Sequence, residues 1–206
     1  MTAGQTMVDS NGNEISLFPL EYMYISQGEL TPSGYSHHGS YAMDFLGWGA
    51  DGRILKCPYY APFSCRVVQR ASYYAVWQSL HPVITPRGKQ YVTFVVMHDD
   101  TPPLLGVTAT QGQLIGHTGT KTYEGGSVSG DHCHMDGANG TFSGWMSGGH
   151  DLLNREHLYN LFYVNDTVMS HPMSYSWKTY TGPLSPVKKY HFKWVLYANK
   201  LRNKDV

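Results

Sequence analysis

The sequence predicts a mostly β protein built on an antiparallel sheet, with one short helical segment beside it. Glycine (22 residues) and tyrosine (16 residues) are abundant, while charged residues reach only 15%. This composition is more typical of loop-rich β proteins than of helical bundles. Short β-branched and aromatic runs are separated by proline and glycine turns, which is the pattern of an antiparallel sheet. With 206 residues, the chain is long enough for one core and an appendage.

Three runs of the chain carry the strand prediction. Residues 65–69 and 73–77 are short extended candidates, and residues 91–98 are the most convincing because β-branched and aromatic side chains dominate them. A helix is predicted over residues 151–163, where Asp151 can act as the N-cap and leucines recur at roughly helical spacing. The sequence therefore predicts several paired strands first and a short helix after them.

Charge and hydropathy exclude several classes of protein. The 15 Lys and Arg residues balance the 15 Asp and Glu residues, so bulk charge disfavours nucleic-acid binding. Residues 1–13 lack the basic and apolar regions of a secretory signal, and no apolar run has the length of a membrane span. The three cysteines are an odd number without zinc-knuckle spacing, which favours free thiols in a protein made in a reducing cytoplasm.

Histidine and aspartate side chains form a candidate metal site. His132 and His134 are two residues apart, so on an extended strand both imidazoles project from one face, while Cys133 points to the other. Asp44 enters what looks like a buried strand, where a carboxylate is costly unless it is paired or binds a cation. His37 and His38 lie a short loop before Asp44, so one neutral His, this Asp and one further His can make a three-ligand set. Such a set leaves a fourth tetrahedral position for water, as in catalytic zinc sites.

Five sequence elements follow one another along about residues 34–140. They are HHGSYAMDF (37–45), YAPFSCRVV (60–68), VVMH (95–98), QGQLIGHTG (111–119) and GDHCHMD (130–136). In this order they resemble the motifs of the M23 peptidases, the lysostaphin type of zinc peptidase that cuts the peptide part of bacterial cell walls. The resemblance implies the antiparallel β-sheet groove of that fold.

The resemblance also implies a role for each site residue. His37, Asp44 and His134 are expected to bind a Zn²⁺ ion, and His98 and His132 are expected to be the two catalytic histidines that do not bind it. In such a site zinc lowers the pKa of its bound water and polarises the scissile carbonyl. The two imidazoles orient the water, move its proton and stabilise the oxyanion.

One departure from the family's pattern leaves the first ligand open. Six residues lie between His37 and Asp44, where the family usually has three, so His38 stays an alternative to His37. The longer gap also resembles the M15 type of D-Ala-D-Ala carboxypeptidase. That type shares a similar zinc core but closes its site with a Glu and a lone His.

The resemblance further implies an organisation and a biological setting. Residues 1–30 are expected to form an N-terminal extension, residues 31–165 the M23-like zinc peptidase domain, and residues 166–206 a linker and tail. The expected activity is hydrolysis of peptide bonds in the stems or cross-bridges of peptidoglycan. Without a signal peptide, we expect a phage protein made in the host cytoplasm, either an endolysin or a virion tail lysin that contacts other tail proteins. The alternatives are an inactive wall-binding or structural tail module and an M15-type carboxypeptidase.

Overall fold

An eight-stranded sheet organises the fold. The structure, a computed structural model, describes residues 1–146, 151–165, 167–169 and 175–185. Within those residues the elements are β1 Tyr22–Gln27, β2 Met43–Leu46, β3 Trp48–Gly49, β4 Gly52–Arg53, β5 Pro58–Tyr60, β6 Cys65–Arg70, β7 Tyr74–Ser79, β8 Val83–Thr85, β9 Gly88–Gln90, β10 Val92–Met97, β11 Thr108–Ala109, β12 Leu114–His117, β13 Cys133–Asn139, α1 Leu158–Leu161 and β14 Val168–Met169. The main sheet has the order β11-β6-β7-β10-β13-β2-β1-β14, and its pairings are antiparallel except that of β1 with β14.

Strand β10 lies near the centre of the sheet and is buried along its whole length. Its sequence VTFVVM is nearly all apolar, as expected for a strand covered on both faces. Phe94 and Trp77 lie opposite each other in neighbouring strands and belong to the main hydrophobic cluster. Val95 and Val76 belong to a second cluster. Because two clusters hold β10, the position of the next residue, His98, is fixed by the core.

All three predicted strands are present, with ends shifted by one or two residues. They correspond to β6, β7 and β10. The predicted fold class, mostly β with antiparallel sheets, is confirmed. The strand ends differ because pairing decides them: β7 continues through Gln78 and Ser79, which lie opposite Arg66 and Cys65 of β6.

The helix predicted over residues 151–163 is wrong for most of its length, since only the single turn α1 is helical. The residues before that turn pair with the sheet instead. Arg155 forms a β-bridge with Ala138 of β13, and the backbone N–H of Leu152 donates to Asp136 Oδ2 at 2.7 Å. Tertiary pairing therefore outweighs the helical spacing of the leucines.

The two ends of the described chain lie together. Residues 1–30, predicted as an extension, supply β1 and part of the core, including the fully buried Phe18. Residues 175–185 return to the same region, where Leu184 bridges Asp9. The predicted domain boundaries stay a prediction, and the rest of the predicted tail lies outside the described residues. Among the residues that the structure describes, no helix combines the length and apolar character that a membrane crossing requires.

Candidate metal centre and groove

The three residues predicted as metal ligands lie together. Strands β2 and β13 pair with Asp44 directly opposite His134, so both side chains project from the same face of the sheet. His37 comes from the segment before β2 and is 1% exposed. His134 Nδ1 lies 3.1 Å from both Asp44 Oδ1 and His37 Nε2, and His37 Nε2 lies 3.3 Å from Asp44 Oδ1.

This triangle of donor atoms fits a tetrahedral zinc ion. Zinc binds imidazole nitrogen and carboxylate oxygen at about 2.0–2.2 Å, so neighbouring ligand atoms of a regular tetrahedron lie about 3.3–3.5 Å apart. The observed separations, 3.1 Å and 3.3 Å, are close to that value. Two imidazoles and one carboxylate are also donor types that zinc prefers, and three protein ligands leave one position for water or substrate.

A backbone contact orients the imidazole of His37. Its Nδ1 donates to Gly28 O at 2.9 Å, which leaves Nε2 to face Asp44. The neighbouring His38 is exposed, and its Nδ1 lies 3.2 Å from Thr31 O. The structure thus places His37, and not His38, beside Asp44 and His134. These three residues are called the ligand group.

The ionisation states of Asp44, His134 and His37 favour the binding of a cation. Burial raises the pKa of Asp44, but hydrogen bonds with His134 and His37 outweigh burial and hold that pKa well below its usual range. Burial lowers the pKa of His134, which keeps its imidazole neutral at pH 7. Burial also lowers the pKa of His37, yet the contact with Asp44 outweighs it and raises the pKa. Metal binding therefore competes with protonation of His37.

Two further histidines line the same groove outside the ligand group. His98 directly follows β10 and donates Nδ1 to Lys121 O at 2.8 Å. His132 directly precedes β13 and donates Nδ1 to Gly130 O at 2.7 Å. The two ring centroids are 4.5 Å apart, and His132 Nε2 lies 3.8 Å from Asp44 Oδ1. The Nε2 atom of each ring is therefore available to a group that enters the groove.

His98 combines a neutral ring with a rare backbone conformation. Burial lowers the pKa of His98 to about 4, and the nearby His132 and His134 act in the same direction. Its φ of 75° lies in the left-handed region that non-glycine residues seldom adopt and that is often found at functional sites. Backbone hydrogen bonds hold it there: His98 N–H donates to Tyr73 O at 2.7 Å, and Lys121 N–H donates to His98 O at 3.2 Å.

Gly119 connects the two non-ligand histidines. Its backbone N–H and C=O exchange hydrogen bonds of 3.0 Å with those of His132. A Cβ atom at this position would lie 2.1 Å from His98 O, closer than any real contact. The segment can therefore pass between the two residues only with glycine here.

The groove has two cavities that share Asp44 and His132. The larger, about 310 Å³, contains all five predicted site residues and is bounded in addition by Tyr73 and Tyr123. The smaller, about 250 Å³, reaches Arg53. Tyr123 and Arg53 belong to no sequence motif, and only the folded pairing of distant segments brings them to the groove.

The comparisons with known proteins include a curated phage protein. No family model matches the chain. Morphogenesis protein 1 of Bacillus phage B103 is 33% identical over 177 residues, which are 82% of this chain and 46% of that protein. The chain therefore spans about half the length of the curated relative that it matches.

Solved structures similar to this chain include zinc and M23 peptidases. A zinc-containing peptidase from Vibrio cholerae has a TM-score of 0.42 at 18% identity, covering 64% of this chain and 40% of that one. The catalytic domain of lysostaphin from Staphylococcus simulans has a TM-score of 0.35 at 21% identity, and the match covers 58% of this chain and 80% of that one. The M23 metalloprotease pseudoalterin from the deep sea has a TM-score of 0.40 at 19% identity, and the match covers 79% of this chain and 92% of that one.

Proposed function

We propose that this chain, which has an M23-type fold, is a zinc-dependent endopeptidase that hydrolyses peptide bonds in the stems or cross-bridges of bacterial peptidoglycan. One observation carries the proposal: the donor atoms of His37, Asp44 and His134 lie at a spacing that suits tetrahedral zinc, in the same groove as His98 and His132. A ligand set alone also suits a structural metal. Two additional imidazoles beside an open coordination position suit hydrolysis.

Each of the five predicted site residues has a role in this reaction. Bound to the three ligands, zinc supplies a water of lowered pKa and polarises the carbonyl of the scissile bond. His98, neutral near pH 7, accepts a proton from the attacking water through Nε2. His132 begins with a proton on both ring nitrogens, so that its Nε2–H stabilises the oxyanion and then gives its proton to the leaving amine. Passage of the proton held by His98 to His132 returns both rings to their starting states. The backbone carbonyls that accept from both Nδ1 atoms keep the rings oriented.

The shape of the groove supports cleavage inside a peptide chain. Two cavities, of about 310 Å³ and about 250 Å³, share Asp44 and His132 in their walls. A substrate that fills both has residues on each side of the scissile bond. An M15-type carboxypeptidase needs room for a single terminal residue on one side. Product analysis separates the two activities, because an endopeptidase opens cross-links and a carboxypeptidase releases a terminal D-Ala.

The biological setting that we propose is a phage particle. The relative from Bacillus phage B103 is named a morphogenesis protein, which supports a virion component made in the host cytoplasm and in contact with other tail proteins. A tail lysin opens the wall at infection, whereas an endolysin acts at host lysis. Immunodetection tests this setting: we expect the protein in purified virions, and its presence only in the lysate would favour an endolysin.

Zinc content and wall hydrolysis test the peptidase function together. We expect one zinc ion per chain by elemental analysis, and release of fragments with new amino groups from purified Bacillus walls. A chelator should stop this release, and added zinc should restore it. His132→Ala serves as the control that keeps the metal and removes a catalytic group. Stoichiometric zinc without hydrolysis of any wall tested would favour the inactive wall-binding module.

A further inference from the structure

The smaller cavity of the groove has a chemical character of its own. It has a volume of about 250 Å³ and shares Asp44 and His132 with the larger cavity. Its wall also includes Ser26, Leu46 and Arg53. Among the described residues that line it, Arg53 is the one arginine or lysine. A permanent positive charge therefore lies in the same cavity as a metal ligand and a catalytic histidine.

Arg53 is held by backbone carbonyls and not by a carboxylate. It lies in β4 opposite Trp48 of β3. Its Nη1 donates to Gly47 O at 3.4 Å, and its Nη2 donates to Asp131 O. Within the described part of the chain, no carboxylate lies at ion-pair distance from Arg53. Two neutral acceptors restrict the guanidinium, which is exposed to solvent and has no ion-pair partner among the described residues.

The carboxylate of Asp131, which lines the same cavity, is bound by other groups. Asp131 Oδ1 accepts from the Thr118 hydroxyl, and Oδ2 accepts from the backbone N–H of Lys56 at 3.1 Å. The Lys56 ammonium lies 3.9 Å from the same oxygen. A guanidinium has five N–H donors, so donors of Arg53 remain for a ligand that enters the cavity.

We propose that Arg53 binds a carboxylate of the substrate beside the scissile bond, so that the enzyme selects wall peptides that carry a free acidic group there. The inference rests on the proposed peptidase function and adds a specificity-determining residue to it. A planar guanidinium pairs with a carboxylate through two parallel hydrogen bonds. Because backbone contacts already restrict the side chain, little conformational entropy is lost on binding.

The test compares two forms of one substrate. Purified Bacillus walls are used as isolated and after carbodiimide coupling with ammonia, which converts their free carboxylates to amides of similar shape. Zinc-loaded wild type, Arg53→Gln and Arg53→Lys are assayed on both. The matched control is Arg66→Gln, which removes an exposed arginine of β6 that lines neither cavity. Fragment release gives kcat and KM, and elemental analysis gives the zinc content of every variant.

We expect Arg53→Gln to keep its zinc and to lower kcat/KM on untreated walls by about 10- to 100-fold, mainly through KM. Amidation should lower kcat/KM of the wild type by a similar factor and leave that of Arg53→Gln unchanged, because the interaction is then already absent. Arg53→Lys keeps the charge without the planar fork and should recover part of the loss. Arg66→Gln should behave as the wild type on both forms.

Other outcomes overturn the proposal. Equal losses of Arg53→Gln on untreated and amidated walls, or a loss of its zinc, would mean that Arg53 only holds the backbone next to His132. A wild type that cleaves both wall forms equally well would show that no carboxylate is recognised. A zinc-loaded wild type that releases nothing from untreated walls would instead contradict the peptidase function itself, and with it this subsite.

Discussion

The histidines of the groove differ in which ring nitrogen the backbone occupies. His37, His98 and His132 each donate Nδ1 to a backbone carbonyl, whereas His134 turns Nδ1 toward Asp44. The free nitrogens of His37 and His134 lie within 3.3 Å of Asp44 Oδ1, and that of His132 lies at 3.8 Å. The distance to Asp44, and not the nitrogen that the backbone occupies, therefore separates the proposed ligands His37 and His134 from His132.

Substitution separates metal binding from catalysis. Asp44→Ala and His134→Ala should each lose zinc and wall hydrolysis together, because each removes one of three ligands. His132→Ala should keep zinc while its rate falls by about two to four orders of magnitude, as expected when a general acid or base is lost. Zinc analysis and fragment release measure both quantities. An empty metal site in His132→Ala would show that His132 is a ligand.

The first ligand is tested by two adjacent histidines. His37 is buried in the ligand group and His38 is exposed outside it. His37→Ala should therefore lose zinc, and His38→Ala, the matched control, should retain both zinc and activity. Zinc titration monitored by a competing chromophoric chelator gives the affinity of each variant. The reverse result would move the ligand by one residue.

Asp136 is a buried carboxyl group of β13. Its Oδ2 accepts from the Leu152 N–H, and its Oδ1 has no hydrogen-bond partner in the described part of the chain. Burial raises the pKa of Asp136 to about 7, although the Leu152 hydrogen bond opposes the shift. Because this pKa lies above that of the unfolded chain, near 3.9, ionisation opposes folding. The free energy of unfolding should therefore fall as the pH rises from about 4 to about 7.

Asp136→Asn should remove this pH dependence. Between pH 5 and pH 8, the free energy of unfolding of the wild type should fall relative to that of the variant by about 2.5 kcal/mol. Urea unfolding of the zinc-free proteins at both pH values measures the difference. Parallel pH profiles would mean that the Asp136 carboxyl group is ionised in the folded protein at pH 5.

Among the elements, β6, β7 and β10 were predictable, whereas most of the helix predicted over residues 151–163 does not form. β10 is apolar throughout because both of its faces are covered, and that pattern is visible in the sequence. The helical spacing of residues 151–163 is visible too, but a β-bridge between Arg155 and Ala138 of β13 overrides it. The residues of the groove likewise divide into those that a local sequence pattern predicts and those that only the fold brings there. His132 and His134 were predictable from their spacing on one strand, whereas Arg53 reaches the groove only through tertiary pairing that no local pattern records.

The Gly119 segment is the element that sets the distance between His98 and His132. In Gly119→Ala the new Cβ would meet His98 O at 2.1 Å, so the backbone must shift. A displacement of about 1 Å costs on the order of 100-fold in rate, and zinc should be retained because no ligand lies in the segment. The comparison variant is Gly130→Ala, whose Cβ meets nothing within 4 Å; it should keep the larger share of the activity. Similar rates for the two variants would contradict this role of Gly119.

At the scale of the whole molecule, the metal site lies on a sheet that other contacts already hold. The main cluster includes Trp77, Phe94 and Phe162, and the second cluster includes Val95 and Leu152. None of these side chains is a proposed ligand. The fold therefore does not depend on zinc for its core, in contrast to small zinc domains that unfold without metal.

Zinc should nevertheless stabilise the folded chain by mass action. A ligand that binds only the folded state adds about 2.7 kcal/mol to the free energy of unfolding at 100 times its dissociation constant. We therefore expect a chelator to lower Tm by several degrees while the far-UV circular dichroism at 25 °C stays unchanged. His134→Ala is the control: it should melt near the chelated wild type, and zinc should not raise its Tm. Loss of the β signal on chelation at 25 °C would show instead that the metal holds the sheet together.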